Sequence, residues 1–306
     1  MRQILLWMSR NAWLKKRVPR LPFIRRAARR FMPGEDAASA LEAAERFRKD
    51  GISVLFTRLG ENLTHTDEAD ETADHYLEVY DEIARRGLDA EVSVKLTQLG
   101  FDLDPGRAFA HSARLAARGA ELGGDLWLDM EGSEYTEATV AFYERLKAEH
   151  PNVGIALQTY LHRTASDIER LLPLEPAIRL VKGAYAEPPT IAHQRRAEVD
   201  ASFVGLAVTL LEAKRAGRRV RISLGTHDSR LIEQIAEHAR AKGLGVADLE
   251  VQMLYGIRED EQRRLARLGY PVRDLIAYGE HWYPWYMRRL AERPANVVFA
   301  LRQLLP

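Results

Sequence analysis

The chain has 306 residues, 46% of them hydrophobic and 29% charged, enough for one large α/β domain with a substantial core. It contains no cysteine, which excludes disulfides, thiolate nucleophiles and Cys-ligated iron–sulfur or zinc centres. No apolar run approaches ~18 residues, so no membrane-spanning helix is expected.

The first element in chain order is a basic arm. Residues 1–34 hold ten Lys or Arg and no Asp or Glu, so against an overall net charge of +1 the remainder carries −9. Interleaved with those charges are Ile4, Leu5, Leu6, Trp7, Trp13, Leu14, Leu21, Phe23 and Ile24, which makes the arm amphipathic. Such a segment suits an anionic membrane surface, nucleic acid or the acidic face of its own domain. A helix docked on the domain fits the same pattern. The apolar run from Ile4 to Met8 is short for a secretory signal and has no small-residue cleavage site after it, although an organellar transit peptide shares this composition.

From residue 35 onward, short apolar or β-branched runs alternate with helical periodicity. A helix over Ala38–Arg48 precedes the first strand. Eight strands are predicted: Ile52–Thr57, Glu91–Leu96, Leu126–Met130, Gly154–Thr159, Ala177–Val181, Arg219–Leu224, Leu249–Leu254 and Val272–Ala277. Helices are predicted between them over Glu68–Arg86, Arg107–Glu121, Tyr135–Glu149, Thr190–Arg215, Ser229–Lys242 and Glu259–Arg267. Eight strands alternating with helices fit a closed parallel (β/α)8 barrel or an open doubly wound sheet, and the strand count with the length favours the barrel. No linker or repeat divides residues 35–306, so they read as a single barrel domain behind the arm.

In such barrels the reactive groups gather at the C-terminal strand ends. Strand one ends in Arg58 through Glu61, strand two in Lys95, strand three in Asp129 and Met130, and strand four in Gln158. Strand five carries Arg179 and then Lys182, Gly183, Ala184 and Tyr185; strand six ends in Thr226 and His227. Strand eight leads into a helix in which Arg288 and Arg289 follow Trp282, Tyr283, Trp285 and Tyr286. Charges inside apolar runs at Lys95, Asp129 and Arg179 are costly to bury unless paired, so a shared polar pocket is expected. Guanidinium groups beside aromatic rings suit a clamp on a carboxylate. There is no P-loop, no HExxH and no glycine-rich dinucleotide fingerprint after a strand, and no metal site is expected.

Arg179-Leu180-Val181-Lys182-Gly183-Ala184-Tyr185, Val92-Ser93-Val94-Lys95-Leu96 and the helix Trp282-Tyr283-Pro284 to Arg288-Arg289 together resemble the monofunctional bacterial proline dehydrogenases, from about Ala38 to Leu304. That resemblance implies FAD as cofactor on a distorted (β/α)8 barrel. It implies oxidation of L-proline to Δ1-pyrroline-5-carboxylate, with electrons passed to a quinone. By the same resemblance Lys95, Arg288 and Arg289 hold the proline carboxylate, and Asp129 and Arg179 form an active-site pair with Arg179 beside the flavin. Met130, Gln158, Lys182, Gly183, Ala184, Thr226 and His227 match FAD-contacting positions. Glu61 resembles a gating acid for Arg288, and Tyr185, Leu254 and Glu292 match further site positions. Leu275 departs from the family, which carries a Tyr there that lines the proline ring, so discrimination against hydroxylated or alkylated proline is in question.

The partners implied are L-proline, a quinone and a downstream pyrroline-5-carboxylate dehydrogenase, with no nucleic acid. The location implied is cytoplasmic, with peripheral contact to the inner membrane face. Two other classes stay open on the residues alone. One is a Schiff-base lyase on the same barrel using Lys95 or Lys182 as the amine nucleophile. The other is a non-catalytic membrane-surface protein acting through the arm, because fold alone does not fix function.

Overall fold

A computed structural model describes residues 2–60 and 63–292. The arm folds as three short helices, α1 (Arg2–Arg10), α2 (Ala12–Arg17) and α3 (Pro22–Ala28). Asn11 caps α2 by accepting from the Trp13 and Leu14 amides, and Pro22 opens α3 at a position where the missing N–H costs nothing. The barrel then runs α4 (Ala37–Arg48), β1 (Ser53–Arg58), α5 (Thr66–Arg86), β2 (Ala90–Val94), α6 (Pro105–Glu121) and β3 (Leu126–Leu128). It continues with α7 (Ser133–Glu149), β4 (Val153–Gln158), α8 (Thr164–Leu171), β5 (Ala177–Val181) and α9 (Arg196–Arg215). Next come β6 (Arg221–Gly225), α10 (Ser229–Ala241), β7 (Glu250–Leu254), α11 (Glu259–Arg267), β8 (Val272–Tyr278) and α12 (Trp282–Glu292).

All neighbouring strands pair in parallel, and β1 pairs with both β2 and β8, so the sheet closes in sequence order. The outward strand residues, among them Val54, Phe56, Val92, Val94, Ile155, Leu157, Ile178, Leu180, Ile222 and Leu224, pack with the helices in one continuous apolar cluster. Asp274 breaks that pattern: it is fully buried, and burial raises its carboxyl well above the ordinary range.

Two elements differ from the sequence reading. Thr164–Leu171 is a helix of two turns, α8, too short for its period to stand out. The helix expected from Thr190 begins at Arg196, because residues 191–193 are drawn into extended contact with the loop after β4. There Leu161 bridges Ala192, the His193 amide donates to the Tyr160 carbonyl at 2.8 Å and the His162 amide to that of Ile191 at 3.0 Å.

The arm is seated on the barrel. Leu5, Ala27, Ala28, Phe31 and Met32 are buried in a second apolar cluster with Trp282, Tyr283, Trp285, Tyr286, Met287 and Leu290 of α12. Gly256, with φ +72°, lies against the Arg30 carbonyl so closely that a Cβ would overlap it. This cluster also takes in Leu59 and Ala277, which places α12 over the β1–β8 seam.

Candidate active site

The interior of the barrel is polar, and the reason is the two-residue period of its strands. On β2 and just beyond, Glu91, Ser93 and Lys95 alternate with outward Val92, Val94 and Leu96. The same alternation turns Asp129, Arg179, Arg221, Gln252, Glu250 and Arg273 inward. Three of these side chains form the upper layer. The Arg179 Nη2 donates to Asp129 Oδ1, and Lys95 Nζ lies 3.4 Å from Asp129 Oδ2. Ser93 Oγ donates to the same Asp129 oxygen at 2.9 Å and accepts from Arg179 Nη2 at 2.9 Å. The other Arg179 terminal nitrogen, Nη1, donates to Gln252 Oε1 at 2.9 Å.

The side chains of Arg179, Lys95 and Asp129 are only 4%, 11% and 18% exposed. Burial alone would raise the Asp129 carboxyl, but Arg179, then Lys95 and Ser93, overcome it and hold the group below the usual carboxylate range. Burial lowers the Arg179 guanidinium against the opposing pull of Asp129, Glu250 and Glu91. The guanidinium nevertheless stays charged, as Arg does throughout the accessible range. Two cations therefore meet one carboxylate in a nearly dry pocket, where a charged group is stabilised only by groups of opposite sign.

Below this layer two guanidiniums approach the Trp127 indole, with Arg179 Cζ 5.0 Å and Arg221 Cζ 5.1 Å from its ring centre. Its Nε1 donates to Glu91 at 2.7 Å. Arg221 is held by Glu91, Asp125 and Glu250 at 2.6, 2.6 and 2.5 Å, and Arg273 Nε lies 3.4 Å from Glu91 and 3.6 Å from Glu250. Gln252 Nε2 donates to Glu250 at 2.5 Å, so one amide ties this ionic floor to Arg179. Burial is again outweighed at Glu250, which Arg221 and Arg273 pull below its ordinary value.

A second polar cluster sits at the ends of β5 and β6. Lys182 Nζ is 2.5 Å from Asp200 and 3.7 Å from Asp228, and Arg196 and Arg230 reach Asp228 at 3.3 and 3.2 Å. Asp228 stands at the N-cap of α10 but turns its carboxylate to these cations instead of capping the helix amides. Gly183 has φ +111°, and a Cβ there would lie 2.3 Å from the Tyr160 ring, so only glycine allows the backbone this close approach. Met130, Gln158 and Thr226 are buried around these strand ends, and Ala184 and Tyr185 are half-buried. Gln158 Nε2 donates to the Glu131 carbonyl at 2.7 Å, while the Leu254 amide points at His227 Nε2 from 3.4 Å. Three cations around two carboxylates, a tight glycine turn and a helix N-terminus form a cradle that a nucleotide cofactor's phosphates can enter.

Leu275 links the two apolar regions, packing on Leu55, Trp127 and Ala177 inside the barrel and on the α12 cluster above it. Arg288 and Arg289 are half-buried on α12, with the Arg289 guanidinium 5.8 Å from the Trp285 ring centre. Glu61 and the Glu292 side chain lie outside the described residues. Between the ends of β1 and β8 a cavity of about 210 Å³ is lined by Arg58, His75, Tyr278, Gly279 and Glu280 among others. There His75 Nε2 meets the Tyr278 hydroxyl at 2.9 Å, and burial followed by the Arg58 charge lowers the imidazole to about 4.

The sequence profile of the family described as Proline dehydrogenase matches residues 40–302. The chain belongs to the proline dehydrogenase family. It is 33% identical over 306 residues to proline dehydrogenase 1 of Bacillus subtilis subsp. natto, covering 100% of this chain and 99% of that one. It is 36% identical over 283 residues to the proline dehydrogenase of Deinococcus radiodurans, covering 91% and 90%. Among solved structures it resembles proline utilization A of Bdellovibrio bacteriovorus inactivated by N-propargylglycine, with a TM-score of 0.81 and 23% identity. That match covers 95% of this chain and 38% of the other, so it bears on the fold alone. The predicted barrel and the predicted family both hold, and the protein is an oxidoreductase of the proline dehydrogenase kind.

Sequence reasoning did not assign a role to Ser93, Trp127 or the ionic floor. The alternation of Glu91, Ser93 and Lys95 with three aliphatic residues was the available signal, since it marks one strand face as polar and enclosed. Among the described residues no helix is long and apolar enough to cross a membrane.

Proposed function

We propose that the chain oxidises L-proline to Δ1-pyrroline-5-carboxylate with FAD as its resident cofactor and a quinone as the final acceptor. The observation that carries this reading is the buried Lys95–Asp129–Arg179 constellation at the barrel mouth in a chain of this family. The donor set fits FAD. Lys182, Arg196 and Arg230 supply cations for its pyrophosphate, Gly183 lets the backbone approach, and Met130, Gln158, Ala184, Thr226 and His227 line the remaining wall. Bound there, FAD supplies the two-electron acceptor.

The chain's own residues bind and orient. Lys95, with Arg288 and Arg289, receives the substrate carboxylate, which fixes the ring carbon. Arg179 supplies fixed positive charge where negative charge accumulates on reduction, held in place by Ser93 and Gln252 so that no reorganisation is needed. Asp129 balances the cations while the pocket awaits substrate. Leu275 and Tyr185 form walls for the ring, and Glu61 is assigned the part of the gating acid that pairs with Arg288.

The lyase reading is less well supported. The Lys95 and Lys182 ammonium groups are both engaged by carboxylates, a binding geometry rather than that of a released amine nucleophile. Purified protein reconstituted with FAD tests the proposal directly. It should absorb as a flavoprotein and bleach when L-proline is added without oxygen, and re-oxidise with a soluble quinone. Failure to take up flavin, or a spectrum indifferent to proline, would refute it.

A further inference from the structure

We propose that Glu187 is a positioning residue for the substrate: it latches the loop after β5 to the N-terminus of α7 and so holds Tyr185 against the substrate ring. The inference rests on the reading of Tyr185 as a wall of the substrate pocket. Residues 182–195 join β5 to α9 without a helix or strand of their own, and connections of that length in a compact domain commonly carry function. The contacts of this loop run back over the ends of β4 and β3. At its start Gly183 packs on the Tyr160 ring. Near its end the His193 amide donates to the Tyr160 carbonyl at 2.8 Å, and Leu161 bridges Ala192. Between these two tethers the loop reaches α7. Glu187 Oε1 accepts from the Ser133 amide at 2.9 Å, and Oε2 accepts from the Ser133 hydroxyl at 2.6 Å.

The need for this contact is visible in α7 itself. Its N-cap is Gly132, which has no side chain to satisfy the first helix amides. A carboxylate 54 positions away takes that part, and the partial positive charge of the helix end favours it. A cap that served α7 alone would come from position 132; one drawn from the loop after β5 couples two elements of the site. On one side Ser133 directly follows Asp129-Met130-Glu131-Gly132. On the other, Tyr185 stands two residues before Glu187, a reach of about 7 Å at most. The loop behind Glu187 is also braced, since Gln194 Nε2 donates to the Glu187 carbonyl at 3.1 Å and to that of Ala192 at 2.7 Å. The latch therefore sets how far Tyr185 can move from the strand end that bears Asp129.

The test compares the flavin-loaded full chain with Glu187→Ala, Glu187→Gln, Tyr185→Ala and the double variant Glu187→Ala/Tyr185→Ala. Loss of both bonds to a charged acceptor should raise KM for L-proline about tenfold, while kcat falls less than about twofold. Glu187→Gln should recover most of the loss, because its amide can accept from the Ser133 N–H and donate to the hydroxyl. In the Tyr185→Ala background Glu187→Ala should add little, since the latch acts through that ring. In protein without flavin, hydrogen exchange at the Ser133 amide and trypsin cleavage after the exposed Arg195 should both quicken in Glu187→Ala, which reads the latch without turnover. A wild-type KM in folded Glu187→Ala, whether or not its Tm falls, overturns the proposal and leaves Glu187 as a helix cap. So does an undiminished tenfold effect in the Tyr185→Ala background. A wild-type flavoprotein that L-proline does not bleach refutes instead the functional reading beneath the proposal, and the proposal falls with it.

Discussion

Replacing Asp129 with Asn removes one negative charge from between two buried cations and leaves the shape almost unchanged. At the Lys95–Asp129 separation of 3.4 Å, an effective dielectric near 20 gives about 5 kcal/mol of gross attraction, part of which desolvation already cancels. Arg179 keeps Ser93 and Gln252 and can still donate to the Asn carbonyl, so its loss is partial. The net destabilisation should be about 2–4 kcal/mol, toward the lower part of the range for breaking a buried pair. With an unfolding entropy of about 2.1 cal/mol/K per residue, a chain of 306 residues should lose about 3–6 °C in Tm. The sign with pH is fixed by the depressed Asp129 pKa. The carboxylate's contribution is complete above its ordinary value of 3.8 and is lost as pH falls through the lower folded value, so wild type and variant should converge in strong acid. Calorimetry at neutral pH, with Lys95→Met and the double variant completing a cycle, measures the coupling. A Tm change under about 1 °C at pH 7, or no coupling between positions 95 and 129, would show that the three groups do not share their charge as described.

Arg288→Ala or Arg289→Ala should lower kcat/KM for proline by ~2–4 kcal/mol, roughly 30- to 1000-fold, while flavin stoichiometry holds, with Lys restoring only part of the loss; steady-state kinetics near normal in both would remove the clamp. Turnover of 4-hydroxyproline should be measurable relative to proline and should drop in Leu275→Tyr, because Leu275 packs at the junction of the barrel interior and α12; an unchanged ratio of the two kcat/KM values means that position 275 does not line the ring. His75, lowered to about 4, is neutral in the fold and more basic when unfolded, so its contribution is complete above its ordinary 6.5 and declines as pH falls toward 4. Discounted for partial exposure, that loss is about 1–2 kcal/mol. Denaturation curves should show His75→Gln losing less stability than wild type across this window, and parallel curves would place the imidazole in solvent.

The eight strands were legible because each is a local event: a run of apolar and β-branched residues between helical periods, as in Ala177–Val181, which the structure reproduces residue for residue. Strand-end chemistry was legible for a related reason. A charge such as Lys95 or Asp129 beside such a run needs a partner, whatever the fold. Local pattern was weaker where elements are short or are pulled by distant contacts. Eight residues at 164–171 give barely two helical turns, and the start of α9 is set by pairing with the loop after β4.

What the amino-acid order alone determined is therefore the barrel, its sequence of strands and the groups at its mouth, since periodicity and the cost of burying charge act over a few residues. The tertiary structure decided which charges meet. Arg221 finds Glu91 across 130 positions, Gln252 ties Glu250 to Arg179, and Trp127 meets two guanidiniums only because barrel closure brings β2, β3 and β5–β8 around one axis. Closure likewise settled the arm. Its composition suited a membrane or the domain surface equally, and the apolar face of α12 took Leu5, Ala28 and Phe31, leaving Ile4, Trp7 and Trp13 turned to solvent. Contacts of that kind depend on distances between elements far apart in the chain, and no pattern within a single element encodes them.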